Sequence, residues 1–405
     1  MEKSREMLYT SYMNKKYLIE LIKSVILSKQ PPEKPDEVSF EEIFKISKIH
    51  NIANLVYYAI AKLENKPDEK LLKLWKREKS LGMRLDVIQS TEFLKLKLEF
   101  EKNSIKYIPL KGFELKNLYP KSDMRKMGDI DILILEKDRE NVKNIMLQYG
   151  YTLKSYGTNR EDSYIKKPSM NIEIHNNLFD ETDTLFYNYF ENLSKMEKVN
   201  KINEFHYEFS LEDNFLYNFI HMFRHFSCRG TGIRSVVDHW LYITKKEKDL
   251  NWEYIYNSLK ELGLLEFYEK FTALSKVWFE EKESNEILEN LEEYIFKSGL
   301  YGNMENYGLT KLSKEKVGII GKVKTVFKLF FPSVKVMIEK YPKLRNYPFL
   351  LPIYYIIRSI QVPQIHGKKT MKTVLRSILF SNRDKIKTRE DFFCSIGLYD
   401  LYKKK

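Results

Sequence analysis

The chain has almost no cysteine: Cys228 and Cys394 are the two present among 405 residues. Two cysteines cannot build a disulfide framework, and they leave no room for a cysteine-rich zinc site. Glycine and proline are scarce as well, at 15 and 12 residues, which excludes collagen-like and low-complexity designs. Long apolar runs are missing. The longest mostly apolar stretch, Tyr347 to Ile357, is about half of a membrane span, so no transmembrane segment is expected. The opening residues, MEKSREMLYTSYMNKK, lack the apolar stretch of a secretory signal, and a soluble cytoplasmic protein is expected.

What is present suits a folded chain. Hydrophobic residues make up 43% and charged residues 31%, enough to bury a sizeable core. The length suggests two or three domains at about 150 residues each. The net charge of +13 is segregated: residues 311–405 hold 17 Lys and 5 Arg against 6 acids, so the rest of the chain is slightly acidic. Such a block marks either a solvated face or an anionic partner, and nucleic acid and anionic lipid both qualify.

Hydrophobic spacing divides the chain into four parts. Residues 1–95 read as all-helical, with a Ser39-Phe-Glu-Glu42 capping box opening one helix. Residues 96–210 interleave strands and helices: IKYIPL (105–110), ELKNLY (114–119), DIDILIL (129–135), DRENVKNIMLQYG (138–150), then YTLK, SYIKK and MNIEIH. Residues 211–310 return to helix, and 311–405 form the basic helical segment. The expected fold class is α+β, a mixed sheet with flanking helices between predominantly helical N- and C-terminal regions.

Asp129-Ile-Asp131 is the most informative motif. Alternate strand residues share a face, so both carboxylates project together while Ile130, Ile132 and Ile134 fill the other side. Adjacent carboxylates repel, and a divalent cation between them removes that cost. Glu173, between Ile172 and Ile174, repeats the pattern. Three acids converging on a sheet edge suit two-metal phosphoryl or nucleotidyl transfer. Ahead of them, Lys111-Gly112 lies between a strand and a helix, where a glycine lets backbone amides approach a phosphate. Lys111 and Arg125 supply cations for phosphate oxygens.

In this order the motifs resemble the nucleotidyltransferases of the DNA-polymerase-beta superfamily, and more narrowly the bacterial family of uncharacterised nucleotidyltransferases. The resemblance rests on Leu110-Lys111-Gly112, Tyr119-Pro120, Arg125, Gly128-Asp129-Ile130-Asp131 and Glu173-Ile174-His175, within about residues 95–180. The Gly112-Phe113 turn and the long gap before Asp129 differ from the superfamily and are shared by the narrow family. The resemblance implies a polymerase-beta-like core and a Mg²⁺-dependent enzyme moving a nucleoside monophosphate from an NTP, with ATP as the working assumption. Asp129, Asp131 and Glu173 would be catalytic and hold two Mg²⁺ ions; Lys111, Gly112 and Arg125 would bind the nucleotide. The acceptor hydroxyl could belong to a small molecule, a glycan precursor, a protein or RNA. The alternatives are a catalytically inactive nucleotidyltransferase fold that binds or neutralises a partner, and a metal-dependent nuclease using similar acids.

Weaker signals remain. His221 and His225 share a helix face that Asp238 could approach, yet residue 222 is Met where a zinc protease needs Glu, so packed or hydrogen-bonded histidines are expected. His175 could tune a metal site from behind. Gly318-Ile-Ile-Gly321-Lys322-Val323 has its glycines too close for a P-loop and lacks the Ser or Thr. The basic segment FKLFFPSVKVMIEKYPKLRNYPFLLPIYYIIRSI is expected first to pack as short helices on its neighbours. It could instead lie on an anionic membrane or guide a nucleic-acid acceptor.

Overall fold

The computed structural model describes residues 2–158, 160–168, 170–313, 315 and 318–399. Four helices come first: α1 (Glu2–Ile26), α2 (Phe40–Ile49), α3 (Ala53–Ile60) and α4 (Glu69–Lys102). Ser39 caps α2 by accepting from the Glu42 amide at 3.3 Å, and Asp68 caps α4 by accepting from the Leu71 amide at 2.9 Å. The capping box is only half formed. Glu42 pairs with Lys45, and the Ser39 amide donates to Asn14 Oδ1 of α1 at 2.9 Å, a long-range substitute.

The α/β part follows: β1 (Tyr107–Leu110), α5 (Gly112–Leu115), β2 (Ile130–Ile134), α6 (Arg139–Gln148), β3 (Thr152–Ser155), β4 (Glu161–Lys166) and β5 (Met170–His175). Two short helices, α7 (Thr184–Tyr189) and α8 (Glu191–Ser194), and a ribbon of β6 (Asn200–Lys201) with β7 (Tyr207–Glu208) lead out of it. A helical block comprises α9 (Leu211–Cys228), α10 (Ile233–Lys245), α11 (Trp252–Glu261), α12 (Leu265–Glu280), α13 (Glu286–Ser298) and α14 (Met304–Ser313). The basic segment forms α15 (Ile319–Phe330), α16 (Val334–Lys340), α17 (Leu351–His366), α18 (Lys368–Leu379) and α19 (Arg383–Ser395). The molecule is thus mixed α+β, with helical regions on both sides of one main sheet.

That sheet has the order β1-β2-β5-β4-β3; β2 and β5 run parallel, and the other neighbours are antiparallel. Its two faces serve different cores. Ile130, Ile132 and Ile134 join Ile172 and Ile174 in a core shared with α4 and α6, through Leu96, Phe100, Val142 and Ile145. Ile108, Leu110 and Leu133 belong to a much larger core that unites α1–α3 with α9–α13. Strand alternation therefore turns Asp131, Glu173 and His175 toward the helical block, on the Leu133 side. The larger core also takes Phe393, Ile396 and Leu398 from the far end of the described chain.

Candidate active site

The segment before β2 is stapled to the N-terminal helices. A Cβ on Gly82 of α4 would lie 3.0 Å from Asp123 O, so glycine permits this approach. Asn54 of α3 donates through Nδ2 to Asp123 O at 2.6 Å and to Met124 O at 2.9 Å, and Gln89 of α4 donates to Met127 O at 3.2 Å. These contacts fix where Gly128 and Asp129 enter β2. From there the register decides the geometry: Asp131 stands opposite Leu110 on β1 and opposite Glu173 on β5. The antiparallel β4–β5 pair then sets Glu161 opposite His175 and Ser163 opposite Glu173.

Asp131 Oδ1 accepts two hydrogen bonds, from Lys111 Nζ at 2.7 Å and from His175 Nε2 at 2.8 Å. The same His175 nitrogen lies 3.9 Å from Glu173 Oε2, and its Nδ1 lies 3.6 Å from Glu161 Oε2. Among the described residues, Asp131, Glu173 and His175 form the one group of three whose ligand atoms all fall within 4.8 Å of one another. Asp129 is half-buried beside them. The donor set, two carboxylates and an imidazole with Asp129 near by, fits a small divalent cation. His175 Nδ1 and Tyr217 Oη are among the buried polar atoms at the site that have no hydrogen-bond partner among the described residues.

Crowding sorts the acids. Burial, and then Glu161, Asp131 and Asp129, push the Glu173 carboxyl up to about 8. Burial and the Asp131 charge raise Asp129 to about 6. Burial works against the charge of Asp131 too, but Lys111 and His175 outweigh it and hold that carboxyl well below the usual range. Lys111 is the mirror case: burial disfavours its charge, and Asp131 more than restores it. Burial and the Lys111 charge lower His175, which favours a neutral ring. Lys111 and the raised Glu173 and Asp129 carboxyls relieve only part of the repulsion among Asp129, Asp131, Glu161 and Glu173.

The remaining expected residues fall nearby in different roles. Lys111, with φ of 51°, is the strained residue of the turn after β1. Gly112 is required for a different reason: a Cβ there would lie 2.7 Å from an Arg125 NH1 and 3.0 Å from Met127 Sδ. Arg125 Nε and NH2 grip the two oxygens of Asp238 on α10, each at 2.8 Å, and Tyr119 Oη donates to Oδ1 at 2.7 Å. Asp238 is thereby engaged away from the histidine pair. His221 and His225 stand ring to ring at 4.7 Å and, instead of packing in the core, line the cleft above the carboxylates. Burial, followed by the Lys111 charge, lowers both, His225 to about 4.

This cleft encloses about 720 Å³ between the sheet face that carries Asp131 and Glu173 and the helices α9 and α10, within the usual range for a small-molecule site. Glu161 at the start of β4 and Arg160 just ahead of it line the cleft on one side, and Arg229 and Arg234 line it from the helical side. Sequence reasoning missed all four. Glu161 was within reach: β4 and β5 are antiparallel neighbours close in sequence, and counting back along the pair places Glu161 across from His175. Nothing in the spacing marks Arg229 or Arg234. Comparison with curated proteins and with solved structures gave no match. Residues 36–280, from just before α2 to the end of α12 and more than half of the sequence, match the family described as uncharacterised nucleotidyltransferase, and the chain belongs to that family.

Proposed function

We propose that this protein transfers a nucleoside monophosphate from an NTP to an acceptor hydroxyl, with Mg²⁺ held by Asp131 and Glu173 and joined by Asp129. The observation that carries this reading is the register of the parallel pair, which sets Asp131 directly beside Glu173 on the cleft side of the sheet. When bound, Mg²⁺ supplies neutralisation of triphosphate charge and activation of the acceptor oxygen. Every other role belongs to side chains of this chain.

Asp129, Asp131 and Glu173 are the catalytic acids in this scheme. His175 orients Asp131 through the Nε2 hydrogen bond, and its own position is fixed by complete burial. Lys111 exchanges the Asp131 oxygen for a phosphate oxygen when NTP arrives, keeping its charge paired in both states. Arg125 spends two of its donors on Asp238 and offers NH1, which lies against Gly112, to the phosphates. The helical wall with His221 and His225 closes the cleft and leaves room for the acceptor.

The Lys111–Asp131 pair also suits the second reading, an inactive fold that needs no metal, because a lysine already neutralises the acid. One experiment separates the two. Purified protein is incubated with each labelled NTP, Mg²⁺ and fractionated cell extract, and calorimetry follows Mn²⁺ or Mg²⁺ binding to the protein alone. Mg²⁺-dependent labelling of an acceptor, lost in Asp131→Asn and Glu173→Gln, is expected. A protein that binds neither ion and labels nothing belongs to the second reading.

A further inference from the structure

The helix α15 is amphipathic the wrong way round for a soluble protein. It turns Gly321 and Thr325 inward, both buried, and keeps Ile320, Val323, Phe327 and Phe331 outside. Residues 320, 323, 327 and 331 fall on one stripe of a helical surface. Ile320 is 84% exposed and Phe327 is 59% exposed, which is far from the usual fate of a large apolar side chain. The helix adds only Val326 and Leu329 to a small core of four fully or nearly buried residues, Leu312, Val374, Ile378 and Ile386. Packed against α15 through Phe331 and Tyr355, α17 carries a second stripe of the same kind, Ile353, Ile356 and Ile360, with Ile356 64% exposed.

The charge around these stripes has one sign. From Gly318 to Phe380 the sequence holds twelve Lys and Arg and a single acid, Glu339. Lys324 and Lys328 flank the α15 stripe, and both share one partner, Glu315. Exposed apolar side chains set in a segment of strong net positive charge complement a surface that is anionic outside and apolar just beneath. Nucleic acid matches the charge but offers nothing to isoleucine and valine, whereas a second copy of the chain matches the apolar stripe but repeats the positive charge. Among the described residues no helix is long and apolar enough to cross a membrane.

We infer that α15, assisted by α17, docks this protein on the surface of an anionic lipid bilayer, with Ile320, Val323 and Phe327 entering the headgroup boundary and the lysines pairing with lipid phosphates. The inference stands apart from the chemistry in the cleft and would survive its revision.

The test is co-sedimentation of the full chain with vesicles of phosphatidylcholine alone and of phosphatidylcholine mixed equally with phosphatidylglycerol. Binding is expected to the mixed vesicles, weakened by salt, with little to the neutral ones. Val323→Asp with Phe327→Asp should cut partitioning about a hundredfold, roughly tenfold for each buried side chain lost, without moving the urea midpoint. Equal binding of the variant and the parent, or no binding by the parent, overturns the inference. So does a dimer that the variant dissociates while vesicles are ignored, which assigns the stripe to self-association. RNA binding that fails with Lys324→Ser and Lys328→Ser but tolerates Phe327→Asp, in a protein indifferent to vesicles, overturns it in favour of nucleic acid.

Discussion

The sheet and the basic helices put the same side chain to opposite uses. Ile132 on β2 has no exposed surface, while Ile320 on α15 keeps 84% of its own. Charge is reversed in parallel: the Lys111 and Asp131 side chains are 12% and 5% exposed, whereas Lys324 and Lys328 are both more than half exposed. Composition does not explain the contrast, because both regions are rich in isoleucine and lysine. Layering does. An inner strand lies between two cores and its neighbours enclose whatever it carries, so a charge network there acts in a low dielectric. A helix laid over a four-residue core has one face to hide and the other to offer.

Removing charge from the enclosed region should have the largest effect. Asp131→Asn and Glu173→Gln are each expected to lower nucleotidyl transfer on the order of 10³-fold or more, the scale seen when one member of a cooperating catalytic unit is lost. Turnover assays at saturating NTP would measure it, and full activity in either variant would remove these acids from the chemistry.

Next in size is the buried Arg125–Asp238 pair. Arg125→Ala should cost about 3–5 kcal/mol in urea unfolding because it strands a buried carboxylate. Asp238→Asn tests the division of labour: a variant that weakens the fold yet keeps NTP affinity leaves Arg125 NH1 as the phosphate donor, and parallel loss in both variants makes the pair purely structural.

Alanine at the paired isoleucines sharpens the comparison directly. Ile132→Ala is expected to cost about 2–5 kcal/mol, and Ile320→Ala less than about 0.5 kcal/mol. Similar costs at the two sites would show that α15 is covered by the protein itself.

An effect read from its pH dependence concerns Glu114 on α5, whose carboxyl is pushed up to about 8 by burial and then by Glu208, against the hydrogen bond from Asn214. Its folded value exceeds the ordinary 4.5, so the folded state keeps a proton that the unfolded chain releases. The associated stability is whole below pH 4.5 and is lost as pH rises through 8. Glu114→Gln should therefore gain on the parent across that window, by roughly 1–3 kcal/mol after discounting for partial exposure. Urea midpoints at the two ends would show it, and a constant difference between the proteins would refute it.

Much of the carboxylate-bearing sheet face was legible because strands have a two-residue period. Asp131 and Glu173 each sit between isoleucines and keep that alternation on β2 and β5, whereas Asp129 falls just ahead of β2. Pairings across long sequence separations were not legible. Arg125 and Asp238 are 113 positions apart, and only the packing of α10 against the segment before β2 brings them together. The same blindness let the Ser39 capping box look complete, since the rival partner, Asn14, belongs to another helix. For the basic segment, spacing gave the helices but not their outward side, because an amphipathic stripe reads alike whether it meets a core or a bilayer.

A last consequence follows from glycine at position 308. There α14 lies so close to α18 that a Cβ would meet Ser377 Oγ at 1.8 Å, and α19 then runs on to bury Phe393 against Phe226 and Tyr294. The stretch α15–α17 thus departs from and returns to one clasp, a handle with two roots rather than a loose tail. Mechanical load taken by the handle is borne by the α14–α18 seam and shared with the main core. Cutting the chain ahead of the handle would also tear away α18 and α19, whereas excising the handle and bridging its two roots would leave the clasp shut.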